Sequence, residues 1–424
     1  MKPPHPFRIA NFRYYWAARL AAMLAQSAMV LIIGWQVYNI ARLTMSPAAS
    51  AAQLGFIGLI QFVPLFALTP LTGWAADRLD RRHIARATIS LQILCAAILA
   101  WFTWTEAMSL PVLFVVAGLL GVARAFSGPA LSALAPNLVP RESLPNAIAL
   151  SSIAWQAGLV AGPAIGGYLY AWVPVAAYLG SAGLFLVALL CLFLISPVLR
   201  PELDRMRHPL RQMIDGLAYV RTNRLVLAAI TLDLFAVFLA GATALLPVYA
   251  RDILEVGPEG LAQLGAAPAV GAAAIALLFS FRPLRTNVGT KMLAAVIVFG
   301  LATVVFGLST SMPLSLAALF VVGAADMFSV YVRQSLIQLH TPDAMRGRVG
   351  AVSMLTISAS NELGEAESGF LAALVGPVAA VVAGGVGAIA VTLLYAWRFP
   401  ELRLARSFDP HDVEPAAKAT ETSR

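Results

Sequence analysis

Residues 73–82 read GWAADRLDRR and carry five charged side chains between two long apolar runs. Their pattern is Gly-x-x-x-Asp-Arg-x-x-Arg-Arg. Charged residues make up only 12% of the chain, so a dense group of them marks a segment that water reaches. A membrane helix needs about 20 mainly apolar residues to cross the hydrocarbon core, and the flanking runs are long enough for this. The stretch therefore indicates a short loop at a membrane face.

The composition places the whole chain in the same class. Its 424 residues are 60% hydrophobic, with a mean hydropathy of +0.80, whereas a soluble domain is about a quarter charged. A water-facing shell cannot cover such a chain, which indicates a polytopic membrane protein. The net charge of +8 is spread over many short loops, so we expect no nucleic-acid partner.

The sequence shows no pattern typical of enzyme chemistry. Cys95 and Cys191 both lie in apolar runs and make neither a disulfide framework nor a metal site. We find no grouped metal ligands, no nucleotide-binding loop and no catalytic triad. We therefore expect no cofactor, no metal and no enzymatic activity. The polar N-terminus precedes an apolar run too long for a signal peptide, so no cleaved signal is expected.

Twelve apolar runs qualify as membrane spans. The fifth and sixth nearly fuse, and we separate them at the Trp-Val-Pro sequence of residues 172–174, because one helix through both would be about twice too long. The first six spans cover approximately 17–38, 55–75, 84–104, 110–134, 147–171 and 172–195. The other six cover approximately 225–247, 261–281, 292–308, 313–332, 349–374 and 378–397.

Lysine and arginine alternate between loops in the way that sets membrane orientation. The N-terminus, every second loop and the C-terminal tail carry most of them, while the opposite loops offer only Arg42 and Arg251. Loops rich in these residues face the cytoplasm. Both termini are therefore predicted to be cytoplasmic, in a multi-pass protein of the cytoplasmic (inner) membrane.

The longest internal polar stretch divides the spans into six plus six. We predict an N-terminal six-helix bundle at 1–195, a central cytoplasmic linker at 196–224, a C-terminal six-helix bundle at 225–399 and a disordered cytoplasmic tail at 400–424. Residues 208–217 are predicted to include a short amphipathic helix. A weak internal repeat supports the division, since four residue pairs share an offset of 202 (323 − 121): Gly121 and Gly323, Pro140 and Pro342, Gly162 and Gly364, and Gly167 and Gly369.

Several of these motifs resemble those of the major facilitator superfamily. Residues 73–82 resemble its signature between helices 2 and 3, and Arg124 resembles its intramembrane arginine. The run from Gly158 to Gly167 resembles its helix-5 antiporter signature. Residues 343–349, DAMRGRV, resemble the enterobactin-exporter and macrolide-efflux branch. The similarity covers about residues 7–400, although residues 281–285, FRPLR, lack the acidic residue that the first-half loop has.

The resemblance implies an all-α integral membrane protein with twelve transmembrane helices in two pseudo-symmetric six-helix bundles. It also implies alternating access around a central cavity lined mainly by spans 1, 4, 7 and 10. The implied cargo is a small amphipathic organic molecule, siderophore-like or drug-like, exported in exchange for protons. We expect the lipid bilayer, protons and this substrate as the only partners, and a monomer.

The charged loop is predicted to form a cytoplasmic gate, because glycine allows close helix approach and an acidic side chain can cap a helix or pair with arginine. The alternative is plain membrane anchoring by the positive charges. The predicted gate residues are Gly73, Asp77, Arg78, Arg81, Arg82, Arg346 and Arg348.

The helix-5 signature consists of Gly158, Gly162, Pro163, Gly166 and Gly167. Small residues at this spacing permit close helix packing in any membrane bundle. Proline removes a backbone donor and bends a helix. We expect packing at least, and the functional alternative is a close-packed helix that seals the outer side of the transporter.

Ionisable residues inside the spans are candidates for proton coupling, because a charge at the bilayer centre costs roughly 2.5–3.5 kcal/mol even on mild scales. Asp233 lies in the seventh span, and Glu362 and Glu365 share one helix face of the eleventh. Two nearby carboxylates cannot both ionise cheaply in a low-dielectric cleft. The alternative for these acids is pairing with arginines. Candidates for lining the cavity are Gln26, Gln36, Arg124, Asp326 and Asn361. For Asp326 the favoured alternative is a structural ion pair. For the two glutamines of span 1 the favoured alternative is packing.

The sequence therefore predicts a secondary active exporter that works by proton-coupled antiport. An importer or facilitator on the same fold remains open. A non-transporting membrane sensor or assembly partner also remains open, although no appended signalling domain supports it.

Overall fold

The computed structural model describes residues 5–196, 209–282 and 284–408. These residues are almost entirely helical, and no strand occurs in the described ranges. Among residues 5–196, six α-helices follow one another with short connections. They are α1 (Ala10–Ala41), α2 (Pro47–Arg78), α3 (Arg81–Trp104), α4 (Leu110–Leu134), α5 (Leu144–Trp172) and α6 (Pro174–Leu194).

Nine helices follow in the described residues of the second half. A 3-10 turn (Ala242–Leu245) precedes α9, and a π-helical turn (Tyr249–Ile253) follows it. The helices are α7 (Pro209–Thr222), α8 (Arg224–Leu239), α9 (Leu246–Val248), α10 (Gly257–Phe281), α11 (Val288–Leu308), α12 (Met312–Leu339), α13 (Asp343–Val375), α14 (Pro377–Arg398) and α15 (Pro400–Leu404).

Eleven helical stretches in the described part of the chain are long and apolar enough to cross a membrane. They correspond to all of the predicted spans except the eleventh, which corresponds to α13. With 33 residues, α13 extends for about 50 Å and is long enough to cross. Its composition is more polar because three glutamates fall within residues 361–367. The glutamates that are candidates for proton coupling thus also lower the hydropathy of this helix.

The predicted break between the fifth and sixth spans is confirmed. α5 ends at Trp172, and Val173 takes an extended conformation with φ −146° and ψ 115°. Pro174 then begins α6. Proline suits the first position of a helix because its missing N–H would be unpaired there in any case. The same residue disfavours a helical conformation at the preceding position.

The seventh span, predicted over 225–247, corresponds to the apolar stretch Arg224–Ile253, but this stretch is not one continuous helix. α8 ends at Leu239, and the chain continues through short 3-10, α and π turns to Ile253. At the break, Gly241 lies so close to α13 that an added Cβ would stand 2.5 Å from the carbonyl oxygen of Gly364. The apolar composition is unbroken here, so the interruption comes from a tertiary contact that hydropathy does not show.

The linker helix is confirmed as α7, which runs further than the predicted 208–217, to Thr222. His208 lies outside the described residues. The tail was predicted to be disordered from residue 400, and for 400–408 this is wrong. Leu402 of α15 is fully buried, and the N–H of Gly289 donates to the carbonyl of Ala405. Arg224 also pairs with Glu401 at 3.0 Å.

Internal contacts divide the chain into two compact units. Unit 1 consists of Met1–Ser46, Phe56–Met206 and Tyr249–Ala266. Unit 2 consists of Pro47–Gly55, Arg207–Val248 and Ala267–Arg424. Each unit therefore contains one segment from the opposite half of the sequence, which the predicted linear division at residues 195 and 225 does not anticipate. In unit 1, α1 packs on α5 and α6; in unit 2, α11 packs on α12 and α14.

Candidate functional site

A buried ion pair joins α8 to α12 in unit 2. Asp233 is 8% exposed, Arg333 is 3% exposed, and a guanidinium nitrogen of Arg333 contacts the carboxylate of Asp233. The tenth span was predicted to end at residue 332, which left Arg333 outside it. That boundary is wrong, because α12 continues to Leu339. The sequence-predicted proton candidate on α8 therefore has a cationic partner inside the bundle.

A small cavity lies beside this pair and brings a second aspartate to it. Asp233 lines the cavity from α8, while Asp326 and Ser329 line it from α12. The remaining lining residues are apolar or small: Ala236, Val237, Val296, Phe299 and Ala325. The cavity therefore presents two carboxylates and one hydroxyl in an otherwise apolar wall. Asp326, predicted as a cavity residue, lines this space within unit 2.

The glutamates of α13 lie on a helix that packs against α8. An added Cβ at Gly364 would stand 3.0 Å from the carbonyl oxygens of Val237 and Phe238, about one helical turn beyond Asp233. Glu362 is buried, Glu365 is half-buried and Asn361 is exposed. These residues do not line the cavity of the two aspartates. Their role in coupling stays a prediction.

The predicted intramembrane arginine of unit 1 binds a glutamine of α2. Arg124 Nη1 donates to Gln61 Oε1 at 2.8 Å, and Gln61 is only 4% exposed. One turn before, an added Cβ at Gly121 would stand 2.8 Å from the carbonyl oxygen of Gln61. The repeat partner Gly323 makes the same kind of close approach to Pro268 in unit 2. Spans 4 and 10 therefore pack against spans 2 and 8 in equivalent ways.

Of the two glutamines predicted to line the cavity from span 1, Gln36 lies in the core of unit 1. It is 5% exposed and accepts a hydrogen bond from Tyr178 Oη at 2.7 Å. Its amide nitrogen donates to Thr103 Oγ1 at 3.2 Å. These bonds hold α1, α3 and α6 together and favour the packing alternative. Gln26 is half-buried.

The helix-5 signature packs against α1. Ser27 Oγ donates to the carbonyl oxygen of Gly158 at 2.8 Å. An added Cβ at Gly158 would stand 2.5 Å from Cβ of Met23, and one at Gly166 would stand 2.7 Å from Cβ of Ala28. Two further members of the signature make similarly close approaches: Gly162 packs on α1, and Gly167 packs on Ala262 of α10, while Pro163 lies inside α5 near Gly265.

We expect Gly166→Val to destabilise the protein, because the larger side chain meets the backbone and Cβ of Ala28. Overpacking of this kind costs about 1–3 kcal/mol. The matched control is Gly183→Val on α6, where no heavy atom lies within 4 Å of an added Cβ. Thermal unfolding of the two purified variants is the measurement. Equal unfolding temperatures would show that the α1–α5 contact is not tight in solution.

The predicted gate residues lie at helix ends. Gly73, Asp77 and Arg78 are in the last turns of α2, and their side chains lie outside the described part of the structure. Arg82 binds Asp80, with 2.7 Å between Nη2 and Oδ2. The hydrogen bonds from the Arg82 guanidinium, opposed by partial burial, lower the pKa of Asp80 to about 2. Asp80 therefore stays ionised at every physiological pH and caps the N-terminus of α3.

The predicted gate arginines of α13 are held within unit 2. Arg348 Nη1 contacts Asp215 Oδ2 of α7 at 3.2 Å. Arg346 Nε donates to the carbonyl oxygens of Gln338 and Thr341 at 2.9 and 3.2 Å. The linker helix is thus tied to the start of α13. The gate assignment itself stays a prediction.

A polar group that we call the Asp252 cluster ties the end of α1 to the π-helical turn within unit 1. Asp252 Oδ2 accepts from Tyr38 Oη at 2.5 Å and from Arg42 Nε at 3.0 Å. Arg251 Nη1 donates to the side-chain and carbonyl oxygens of Asn39. The cluster thus contains both arginines that depart from the loop-charge alternation.

Two residues of these sites were not identified from the sequence. Asp252 is the acid next to Arg251, and the two exceptional arginines were a signal that their loops hold a countercharge. Arg333 follows directly on an apolar run, and the carboxylate of Asp233 in another span was a signal that a cation should lie at a similar depth. Both signals require pairing residues that are far apart in sequence.

The long apolar helices, the buried intramembrane charges and the glycine-mediated packing together define a polytopic, all-helical membrane protein. Residues 16–365 match the family model described as Major Facilitator Superfamily. The chain belongs to the major facilitator superfamily, and it has the two-bundle, twelve-helix fold of that family.

Relatives that match nearly the whole chain are named as enterobactin exporters. The enterobactin exporter EntS of Shigella boydii serotype 18 (strain CDC 3083-94 / BS512) is 27% identical over 410 residues, which cover 94% of each chain. The enterobactin exporter EntS of Escherichia coli O1:K1 / APEC matches with the same identity and coverage. The protein is therefore a multi-pass transporter of the inner membrane and not an enzyme.

Solved structures support the fold. A bacterial homologue of the human lysosomal transporter Spinster matches with a TM-score of 0.72 at 15% identity, covering 94% of this chain and 99% of that one. The POT family transporter PepTSo matches with a TM-score of 0.73 at 13% identity, covering 95% and 99%. At these identities the likeness concerns the fold alone.

Proposed function

We propose that this protein exports a small amphipathic organic molecule from the cytoplasm by alternating access, driven by protons that enter in exchange. The observation that carries the proposal is the charge buried in unit 2, where Asp233 pairs with Arg333 and Asp326 lines the adjoining cavity. Such charges are costly inside a membrane, and they mark ion pathways when they occur. A carboxylate that gains and loses a proton during the transport cycle couples the proton gradient to the movement of the substrate.

The orientation follows from the loop charges. With both termini in the cytoplasm, the connection between α1 and α2 and the π-helical turn face outward. The Asp252 cluster then lies at the outer end of the protein. We propose that it closes the outer entrance, and that its hydrogen bonds break when the entrance opens. The two arginines that depart from the loop-charge rule are in this account part of the closure.

The inner entrance is assigned to the charged loop after α2. In this proposal Asp77, with the neighbouring arginines Arg78, Arg81 and Arg82, forms contacts when the cytoplasmic side is closed. Glycine at position 73 allows a close helix approach beside them. Two arginines of this set have partners within their own units: Arg82 pairs with Asp80, and Arg348 pairs with Asp215. Opening and closing would then exchange one set of partners for another.

The substrate class rests on the relatives and on the apolar character of the spans. Relatives named enterobactin exporter are 27% identical to this chain over nearly all of its length. We therefore propose a siderophore-like or drug-like cargo, and enterobactin is the first probe. The glutamates Glu362 and Glu365 and the side chains of Gln26, Arg124 and Asn361 remain candidates for contacts on the transport path. We propose that a monomer is sufficient for transport.

Substrate-panel transport in proteoliposomes with an imposed pH difference tests this function. Purified protein would be reconstituted, and uptake of iron-free enterobactin, ethidium and a neutral sugar would be measured with the lumen acidic or at equal pH. We expect accumulation of an amphipathic compound only with the acidic lumen, because proton exit then drives uptake through the inverted fraction of the transporters.

The controls separate the alternatives. A protonophore should abolish the accumulation while leaving exchange of labelled for unlabelled substrate. Accumulation that is equal with and without the pH difference would indicate a facilitator and contradict the coupling. Accumulation only with the opposite pH difference would indicate an importer. Failure of every compound to move in wild-type protein would contradict the transport of this substrate class.

A further inference from the structure

We propose that Asp233, Asp326 and Arg333 form one proton site, in which Arg333 neutralises either aspartate in turn and Asp326 carries the transported proton. This inference rests on the proposed function for its role in coupling. The sharing of one cation by two acids is a separate claim that stability alone can test.

The spacing on α12 places the second aspartate on the same helix face as the arginine. Asp326 and Arg333 are seven residues apart, which is about two helical turns, so they lie on one face of the helix. Ser329 lies between them and lines the same cavity. Side chains on a helix lean toward its N-terminus, so Arg333 extends from its own turn toward that of Asp326.

The hydrogen-bonding capacity of Arg333 is not used up by Asp233. A guanidinium has five N–H donors in a fixed planar fork. In the structure Arg333 is 3% exposed, and its Nε has no hydrogen-bond acceptor among the described residues. A buried donor without an acceptor is costly. A second carboxylate in the neighbouring cavity is the group that could satisfy it after a small rearrangement.

The charges of the three residues favour one bound proton. One guanidinium balances one carboxylate, and arginine keeps its charge at every relevant pH. A second ionised carboxylate in an apolar cavity would be uncompensated, which is unfavourable. With a proton on Asp326 the group is neutral. Loss of that proton would draw Arg333 away from Asp233 toward Asp326, so proton release changes the link between α12 and α8.

Other ionisable residues on the packed helices lie elsewhere. Asp233 is the residue of α8 that belongs to the proposed site. The other charged residue of this helix, Arg224, lies at its start and pairs with Glu401. α11 carries only Lys291, near its start, and α10 carries only Glu259, in its first turn. Tyr331 of α12 stacks on Phe279 of α10. The glutamates of α13, namely Glu362, Glu365 and Glu367, are outside the cavity lining.

A double-variant cycle tests the shared charge. Asp233→Asn and Asp326→Asn would be purified singly and together, and their unfolding temperatures would be measured in detergent. We expect each single variant to unfold within about 3 °C of wild type, because the other aspartate balances Arg333. The double variant leaves a buried arginine unpaired and should lose at least about 8 °C.

The control double variant combines Asp233→Asn with Asp215→Asn, whose partner is Arg348 on the start of α13. Its losses should add, because distant sites are independent. Losses that also add in the Asp233/Asp326 pair would overturn the shared site. A large loss in Asp233→Asn alone would overturn it as well, since Asp326 would then be unable to replace the missing acid.

A transport measurement assigns the proton. Asp326→Asn has a permanently uncharged group, so it should still exchange labelled for unlabelled enterobactin but lose at least about ten-fold in pH-driven accumulation. Full pH-driven accumulation in this variant would overturn Asp326 as the proton carrier. If wild-type protein showed no pH-driven accumulation, the proposed coupling would fail, whereas a non-additive stability cycle would still support the shared ion-pair site.

Discussion

The variant Arg333→Gln is expected to lose about 3–5 kcal/mol of stability at neutral pH. The substitution leaves Asp233 and Asp326 without a cation in a nearly dry environment. Lowering the pH from about 8 to about 5 should recover part of the loss, because a carboxyl group can take up a proton. Thermal unfolding can be followed by circular dichroism of the helices, which can be recorded at both pH values.

The matched control is Arg285→Gln, in the exposed loop before α11. It removes the same charge and side chain without a buried partner, so its unfolding temperature should remain close to that of wild type. A similar, pH-independent loss in both variants would show that net charge rather than the buried pair determines stability. No loss in Arg333→Gln would show that the ion pair is absent from the folded protein in the membrane or in detergent.

Cross-linking the Asp252 cluster should stop transport almost completely. Asn39 and Arg251 are in contact through their side chains. In a background with Cys95→Ala and Cys191→Ala, the pair Asn39→Cys and Arg251→Cys would be joined by a short, reducible bifunctional methanethiosulfonate. If the cluster must open in every cycle, the linked protein should lose more than about nine-tenths of its transport and regain it after reduction, because alternating access needs both states.

The single-cysteine variants Asn39→Cys and Arg251→Cys are the controls for this experiment. Each should react with the reagent and keep most of its activity, since no link can form. Undiminished transport by the fully linked double variant would contradict the closure of the outer entrance by this cluster. The proportion of linked protein can be read from the mass of the intact chain.

The positions and order of the membrane spans were predictable because hydropathy and proline placement are local properties. Pro174 marks the break between α5 and α6 within an unbroken apolar run, and the structure confirms it. The end of α8 was not predictable in this way. Gly241 sits in an equally apolar stretch, and the helix ends where its backbone meets Gly364 of α13, more than a hundred residues away. A contact of that kind leaves no mark in hydropathy.

The candidate site was predictable only in part, for a similar reason. Asp233 stands out because a carboxylate interrupts an apolar span, and Asp326 stands out by the same rule. Arg333 was missed because a span predicted from hydropathy ends at the first charged residue, whereas α12 continues for another turn and more. The pairing of α8 with α12 depends on how the helices pack, which a single sequence does not specify.

In unit 1, residues that the sequence suggested for a transport function make packing contacts in the structure. The glycines of α5 were noted as an antiporter signature, and the structure gives each of them a packing partner on α1 or α10. Gln36 was a cavity candidate because it is polar, with packing as the favoured alternative, and Tyr178 and Thr103 do satisfy its amide inside the core. Polarity in a span predicts a partner, and the partner can be substrate or protein.

Substrate-driven proton movement tests the coupling most directly. Proteoliposomes containing enterobactin and a trapped pH-sensitive dye would be diluted into substrate-free medium at equal pH, with protein-free liposomes as the blank. The account predicts that wild-type protein acidifies the lumen as substrate leaves, because protons enter in exchange, and that Asp326→Asn does not. Substrate leaving through the wild-type protein without any change in lumen pH would contradict proton-coupled export.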